Sequence, residues 1–213
     1  MPVKSETPEA TAGRILQETG FSGRLPVDVY EIAAQRNVRI IERLDLTDDL
    51  SGMLLREENL SNPVIVVRKG DARVRRRFTV AHELGHEVLH VGRTVLIEAS
   101  TAQFRINERR SGGEIPSQWE EVQANRFAAE LLMPEVLISE LFDRNVVKTT
   151  SDDELIKSLA GDFDVSDSAM QYRLMNLGLM YPPFGNEITP TRSDRKASSK
   201  YSPRINGGRR RTG

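Results

Sequence analysis

The chain has 213 residues, of which 38% are hydrophobic and 29% are charged, and its formal net charge is −1. This composition is typical of a soluble globular protein, and the near-neutral charge excludes the whole molecule as an obvious electrostatic binder of nucleic acid. Because cysteine is absent, disulfides, thiol nucleophiles and thiolate metal sites are excluded, and any metal must be held by His, Asp or Glu.

The first part of the chain predicts a loose start and two helices. Residues 1–8 form the loose start, and the stretch 1–14 is polar and lacks the apolar core of a signal peptide. Apolar residues recur at helical spacing over 9–18 and 27–36, and Pro26 suits the beginning of the second helix. Because no apolar run approaches the roughly 20 residues that span a bilayer, we expect no membrane segment and a cytoplasmic location.

Three strands and a long helix are predicted next. Residues 37–41, 51–56 and 62–69 are short, apolar or β-branched, and bounded by turn residues. Helical character returns over 75–90, and Gly92 is placed to cap the C-terminus of this helix.

The second half of the chain is predicted to be mainly helical. Residues 94–98 and 103–106 are possible strands, followed by a loop at 111–116. A helix over 118–133 stops before Pro134, which opens another one running to Phe142. Two or three short helices are expected over 152–179. The sequence from 181 onwards is rich in Pro, Gly, Ser and Arg, and its composition predicts disorder.

All three histidines of the chain lie within residues 82–90, at intervals of four. On a helix, His82 and His86 face the same side one turn apart, which allows both rings to bind one ion. This is the H-E-x-x-H pattern, in which two histidines bind zinc and the glutamate, here Glu83, is the general base. Gly85 would leave room for a neighbouring backbone.

A catalytic zinc site needs a third protein ligand, which here is expected to be a carboxylate. The predicted helix over 118–133 offers Glu121, with Asn125 one turn later to hydrogen-bond a metal-bound histidine. Glu120 is the rival ligand, and it lies about a hundred degrees away around the helix. His90 is expected to be a helix-end histidine that hydrogen-bonds nearby rather than a ligand.

The chain resembles the ImmA/IrrE metallopeptidases in two paired motifs. These are RRFTVAHELGHEVLH (76–90) and EVQANRFAAELLMP (121–134), and together they are far more specific than H-E-x-x-H alone. The segment LAGDFDVSDSAMQYRLMNLGL (159–179) is similar to the helical part that follows the protease core. The resemblance covers roughly residues 10–180.

This resemblance implies an α+β, zincin-like fold in which the H-E-x-x-H helix packs on a small twisted sheet. It implies one Zn²⁺ per chain, held by His82, His86 and Glu121, with Glu83 as catalytic base. It also implies that the protein partner is a helix-turn-helix repressor, whose cleavage switches on mobile-element or stress-response genes. The family often has an acidic residue where this chain has Gln123.

Four regions are expected along the chain. A flexible N-terminus (1–8) precedes the metallopeptidase core (9–143). A helical C-terminal segment (144–182) and a disordered basic tail (183–213) follow.

A peptidase site is expected to have two further features, an edge strand and a group that stabilises the oxyanion. An edge strand that aligns a peptide substrate could be VIVVR (64–68) or QFRI (103–106). An electrophile that stabilises the oxyanion is also expected, and the candidates are Tyr172, Arg173 and Arg105.

The alternative is a zinc-containing DNA-binding or protein-interaction regulator without protease activity. Residues 155–179 have a helix-turn-helix character, and the tail from 191 to 213 has eight Lys or Arg residues against the single acid Asp194. Lys157 and Arg173, however, lie among six acidic residues between 152 and 167, which would repel a duplex. We therefore favour the peptidase and do not expect direct DNA binding.

Overall fold

The computed structural model describes residues 6–46, 50–56, 62–90, 95–99, 116–146 and 151–180, with residues 95–99 described by their backbone alone. This part of the chain contains seven helices and four strands. The helices are α1 (Pro8–Glu18), α2 (Val29–Gln35), α3 (Arg73–Leu89), α4 (Gln118–Leu132), α5 (Glu135–Val146), α6 (Asp152–Phe163) and α7 (Asp167–Asn176). The strands are β1 (Arg39–Arg43), β2 (Leu50–Leu55), β3 (Val64–Arg68) and β4 (Val95–Ala99). The chain forms two compact units, Met1–Met170 and Gln171–Gly213.

The four strands form one mixed sheet in the order β1-β3-β2-β4. β1 runs parallel to β3, whereas β2 is antiparallel to both β3 and β4. The proposal that VIVVR supplies an edge strand is therefore wrong, since β3 is paired on both sides. The run Val64–Val67 is buried throughout, as is typical of a strand covered on both faces. The other edge candidate, QFRI, lies outside the described residues.

Side-chain caps fix where several helices begin. Thr7 accepts a hydrogen bond from the first turn of α1, Asp28 from that of α2, and Ser151 from that of α6. Ser117 forms a capping box at the start of α4 together with Glu120. Each such cap satisfies backbone N–H groups that have no partner within the helix.

Helix α3 lies at the centre of the first unit, where it packs against α2, α4, β2 and β3. Its N-terminal half is fixed by Arg77, which is almost fully buried. The Arg77 guanidinium donates to the backbone oxygen of Asp164 at 3.1 Å and to that of Val27 at 2.9 Å. These contacts tie α3 to the end of α6 and to the segment before α2.

The architecture confirms the predicted α+β class, with a long helix packed on a small sheet. The predicted helices and strands in the described part of the chain are present, with ends displaced by a few residues. α3 ends at Leu89 with His90 as its C-cap residue, while Gly92, the predicted cap, lies outside the described residues together with the tail from 181. None of the described helices has the length and apolar character needed to cross a membrane.

Candidate metal centre

Helix α3 is buried along its middle turns, although it carries several polar side chains. The buried residues are Arg77, Thr79, Val80, Ala81, His82, Glu83, Leu84, Gly85 and His86. Burying a polar group without a partner costs several kcal/mol, and charged residues are rarely buried without one. The chemical role of this helix therefore depends on the groups that contact its buried histidines and glutamate.

The structure brings His82, His86 and Glu121 together. His82 Nε2 lies 3.0 Å from His86 Nε2. Glu121 offers Oε2 at 3.3 Å from His82 Nε2 and Oε1 at 3.5 Å from His86 Nε2. In a tetrahedral zinc site with bonds of roughly 2.0–2.1 Å, two ligand atoms stand about 3.3 Å apart. The three side chains thus have the chemistry and the spacing to hold one zinc ion and leave a fourth position open.

The protonation states of these groups also suit a cation. Burial by itself raises the pKa of Glu121, but hydrogen bonds and positive charge from His82 and His86 outweigh it and lower that pKa to about 2. Burial lowers the pKa of His86, against an opposite effect of Glu121. Metal ligands must be deprotonated, so both shifts favour the form that binds a metal.

Asn125 lies behind His82, as its spacing from Glu121 predicts. The Asn125 Oδ1 atom is 3.1 Å from His82 Nδ1. An amide oxygen only accepts hydrogen bonds, so His82 Nδ1 donates and carries the ring hydrogen. The lone pair of His82 Nε2 is left facing His86 and Glu121.

His90 contacts the ring of His86 on the side away from Glu121. His90 Nδ1 is 2.9 Å from His86 Nδ1, and His90 Nε2 is 2.9 Å from Gln123 Oε1. One ring nitrogen of His90 therefore contacts His86 and the other contacts Gln123, in line with the expectation that His90 hydrogen-bonds nearby.

Glu83 is fully buried, and its carboxylate lies beside Gly52 of strand β2. A Cβ atom at position 52 would lie 3.4 Å from Glu83 Oε1 and only 2.3 Å from Thr79 Cγ2. The absence of a side chain at Gly52 therefore lets α3 approach the sheet. Sequence reasoning missed this residue, although a glycine inside a strand is a signal of close approach.

The close approach expected at Gly85 is present. A Cβ atom there would stand 3.1 Å from Ala124 Cα and 3.2 Å from Ala124 O. The glycine thus allows the backbone of α4 to lie directly against α3. That contact brings Glu121 and Asn125, which flank Ala124 on α4, to the histidines of α3.

Arg56, which follows β2, holds the C-terminal end of α3 and was not identified from the sequence. Its guanidinium donates to the backbone oxygens of His86 at 3.0 Å, Glu87 at 2.7 Å and His90 at 3.0 Å. The last carbonyls of a helix lack partners within the helix, and a cation there also interacts favourably with the helix dipole. Burial lowers the pKa of Arg56, while Glu87 and Glu83 oppose that shift.

Glu87 is a charged residue at a position of the motif where strict zinc-protease patterns are usually uncharged. Its carboxylate Oε2 lies 3.1 Å from Arg36 Nη2, and both side chains are partly buried. The acidic group is therefore accommodated by a cation at the end of α2.

The two neighbouring glutamates at the start of α4 have different contacts. Glu120 Oε2 accepts a hydrogen bond from the backbone N–H of Ser117 at 2.7 Å, while the Ser117 hydroxyl accepts one from Glu120 N at 3.3 Å. Glu120 thus serves the capping box. Within the described residues, it is Glu121 that joins the two histidines in a group able to hold a metal.

The candidates for oxyanion stabilisation lie in other parts of the chain. Tyr172 and Arg173 belong to α7 and to the second compact unit. The Tyr172 side chain is largely exposed, and Arg173 is buried. Arg105 lies outside the described residues. The assignment of this role stays a prediction.

The chain is similar to a known peptidase family and to two known proteins. The model of a peptidase family, described as the IrrE N-terminal-like domain, matches residues 33–175. The uncharacterized immunity region protein 2 of Bacillus phage phi105 is 28% identical over 111 residues, which cover 52% of this chain and 61% of the phage protein. A Mycobacterium tuberculosis transcriptional regulator of known structure has a TM-score of 0.50 and 18% identity, over 83% of this chain and 48% of that one.

The family model supports family membership, whereas the solved structure supports a similar fold. The family model covers most of the chain, including both motifs, and it confirms the resemblance noted in the sequence. The M. tuberculosis regulator is similar in fold alone. The chain spans less than two thirds of the phage protein and about half of the regulator.

Proposed function

The chain belongs to the peptidase family of the IrrE N-terminal-like domain, and on that premise we propose that it is a zinc-dependent endopeptidase that cleaves a helix-turn-helix repressor. One observation carries the proposal. Two histidine nitrogens and a carboxylate converge within 4.8 Å of one another, and the residue after the first histidine is a buried glutamate.

His82, His86 and Glu121 are the proposed metal ligands. With two neutral imidazoles and one carboxylate, the site carries a single negative charge, which favours a divalent cation. A zinc ion bound there would polarise the scissile carbonyl and lower the pKa of a bound water to about 7.

Glu83 is the proposed general base. Its carboxylate would accept the proton of the attacking water and then deliver that proton to the amide nitrogen that leaves. The Glu83 side chain is fully buried and directly follows the proposed ligand His82, and proton transfer in the transition state requires a base held in position.

The nature of the substrate is proposed from the family and one relative. The ImmA/IrrE resemblance implies a repressor as the protein cleaved, and the phage relative is an immunity region protein. Because repressors bind DNA inside the cell, we place the reaction in the cytoplasm. Cleavage would release the genes that the repressor holds silent.

Direct DNA binding receives no support from the helices that suggested it. The first turn of α6 contains Asp152, Asp153 and Glu154, which would repel the phosphates of a duplex. Arg173, one of the two cations in this segment, is buried.

The test compares the zinc-loaded wild type with Glu83→Gln in an extract of the source cells. New N-termini are mapped by mass spectrometry after equal incubation. We expect a short list of cleavage sites that appear with the wild type alone and that include a helix-turn-helix protein. Glu87→Gln, which removes an acid from the same helix, should retain cleavage. Identical N-termini with wild type and Glu83→Gln would contradict the proposal.

A further inference from the structure

His86, one of the proposed metal ligands, lies in the last turn of α3, close to where the helix ends at Leu89. We propose that Arg56 is a positioning residue of the metal site: its guanidinium binds the backbone of this last turn and thereby fixes where His86 presents its ring. The inference rests on the proposed function, since it concerns how one ligand of that site is held in place.

The end of α3 needs support from outside the helix. The backbone N–H of His90 bonds to the oxygen of His86 at 3.1 Å, and His90 itself has left the helical conformation, with φ −119° and ψ 59°. The last four carbonyl groups of a helix have no N–H partner within it, and helix ends fray. The helix alone therefore holds His86 less firmly than His82, which lies one turn earlier.

The Arg56 guanidinium spans the whole of this last turn. Its Nη2 atom donates to the backbone oxygens of His86 at 3.0 Å and Glu87 at 2.7 Å, while Nη1 donates to that of His90 at 3.0 Å. The donors of a guanidinium form a rigid planar fork, so the three oxygens are held at fixed positions relative to one another. Unwinding of the turn would break these hydrogen bonds.

The charges around Arg56 favour the same arrangement. The carboxyl end of a helix carries a partial negative charge, which attracts a cation. Burial lowers the pKa of Arg56, and the attraction of Glu87 and Glu83 opposes that shift. A lysine at this position would keep the charge, but its single ammonium group lacks the planar fork that binds several oxygens at once.

Strand β2 determines where Arg56 lies. Arg56 directly follows this strand, which is hydrogen-bonded to β3 on one side and to β4 on the other. Gly52, in the same strand, lies against Thr79 and Glu83 of α3. The strand and the residue after it thus contact α3 at two places, in the middle of the helix and at its end. Loss of the second contact should loosen His86 while the first contact still holds the rest of α3.

Three variants separate this role from general stability. Arg56→Met removes the three hydrogen bonds and keeps an unbranched apolar side chain, whereas Arg56→Lys keeps the charge without the fork. Arg36→Met is the matched control, because Arg36 contacts the same turn through the Glu87 side chain, at 3.1 Å, rather than through the backbone. The full chain is used throughout, and circular dichroism establishes which variants are folded at the temperature of the measurements.

Hydrogen exchange of the metal-free protein measures how firmly the last turn is held, since exchange reports local opening. Amide exchange over 86–90 should become faster in Arg56→Met than in the wild type. Exchange around His82 should change little, because that turn keeps its contact with Gly52 and β2. Arg36→Met should leave the exchange of both turns close to that of the wild type.

Metal binding tests whether the proposed ligand itself is affected. Zinc affinity, measured by competition with a chelator, should fall about 10- to 100-fold in Arg56→Met, the loss typical of groups that hold a metal ligand in place. Arg56→Lys should bind zinc with intermediate affinity, and Arg36→Met should bind it almost as tightly as the wild type. Co²⁺ bound in place of zinc has a visible spectrum that depends on ligand geometry, and this spectrum should change in Arg56→Met but not in Arg36→Met.

The outcomes separate this inference from the proposed function. An unchanged exchange rate in the last turn, or an unchanged zinc affinity, in folded Arg56→Met would overturn the inference even if peptide cleavage is normal. If Arg56→Met does not fold, Arg56→Lys decides. A loss of zinc affinity greater than that of Arg36→Met then supports the inference, and an equal or smaller loss overturns it. A protein whose zinc binding depends on Arg56 but which cleaves nothing would support the inference and contradict the peptidase alone.

Discussion

Helices α3 and α4 form the two sides of the proposed metal site, and they differ in how they encode it. α3 carries two proposed ligands and the proposed base within five consecutive residues. The two ligands lie on the same side only because the segment is helical. α4 carries a ligand, a cap and two hydrogen-bond acceptors among similar polar residues. The contrast shows that the functional residues of α3 can be recognised from their spacing in the sequence. Those of α4 can be recognised only from their contacts with α3.

Glu120 and Glu121 illustrate this difference. Both are acidic, adjacent and in the first turn of α4, where a carboxylate also favours the helix dipole. One completes the capping box and the other faces two histidines. Their positions relative to α3, rather than their chemistry, separate the two functions.

The contact of α3 with the sheet provides the largest expected effect on stability. Gly52→Ala places a methyl group 2.3 Å from Thr79 Cγ2, and either the buried Thr79 side chain must change its rotamer or α3 must shift to relieve the overlap. We expect the free energy of unfolding to fall by about 3 kcal/mol, as measured by urea denaturation. Gly70→Ala, where a Cβ meets no atom within 4 Å, is the control. Equal stability of the two variants would contradict the packing described here.

The crossing of the two helices is tested at Gly85. The Cβ of Gly85→Ala would press on the Ala124 backbone, and overpacking of this kind costs about 1–3 kcal/mol. Gly161→Ala, in α6 with no atom within 4 Å of its Cβ, should instead stabilise the protein by up to about 1 kcal/mol. Thermal unfolding of both variants checks the sign of each change. A stabilising Gly85→Ala would mean that the helices are further apart than described.

The start of α4 can be weakened without touching the proposed ligands. Ser117→Ala removes the side chain that accepts from Glu120 N, which should lower the free energy of unfolding by about 1 kcal/mol. Zinc affinity should stay close to that of the wild type. A large loss of zinc in this variant would show that the cap and the metal site are not independent.

The smallest effect is expected at the ion pair between α2 and α3. Glu87→Gln loses the contact with Arg36, which is 3.1 Å in length and partly exposed to solvent. The free energy of unfolding should fall by about 0.5–1 kcal/mol, as measured by urea denaturation at low salt. A loss of several kcal/mol would indicate that Glu87 has a further role beside the metal ligands.

The fold class and the site on α3 could be predicted because both depend on short-range patterns. The i and i+4 spacing of His82 and His86 defines one helix face whatever surrounds it. The sequence also predicts the strands but not their order, and the prediction of VIVVR as an edge strand is wrong because β3 lies inside the sheet. β1 joins β3 in parallel through a connection that contains β2, and such pairing is set by the whole sheet. The fully apolar run in β3 was the available sign of a central strand.

The residues that were missed act across long separations in sequence. Arg56 binds carbonyls thirty or more residues away, at His86, Glu87 and His90. In the sequence Gln123 stands out only as a departure from the family, and its contact with His90 joins helix α4 to the end of α3. No local pattern marks such residues, since their roles exist only once α3 and α4 are packed.

Zinc content tests the central claim, that Glu121 completes the site begun by His82 and His86. Wild type, Glu121→Gln and Glu120→Gln are loaded with zinc and desalted identically, and the metal is measured by elemental mass spectrometry. We predict about one zinc per chain in the wild type and in Glu120→Gln, because glutamine also serves in a capping box. Glu121→Gln should lose most of its zinc, since two histidines alone leave the site one ligand short. Equal zinc in Glu121→Gln and the wild type would contradict the account.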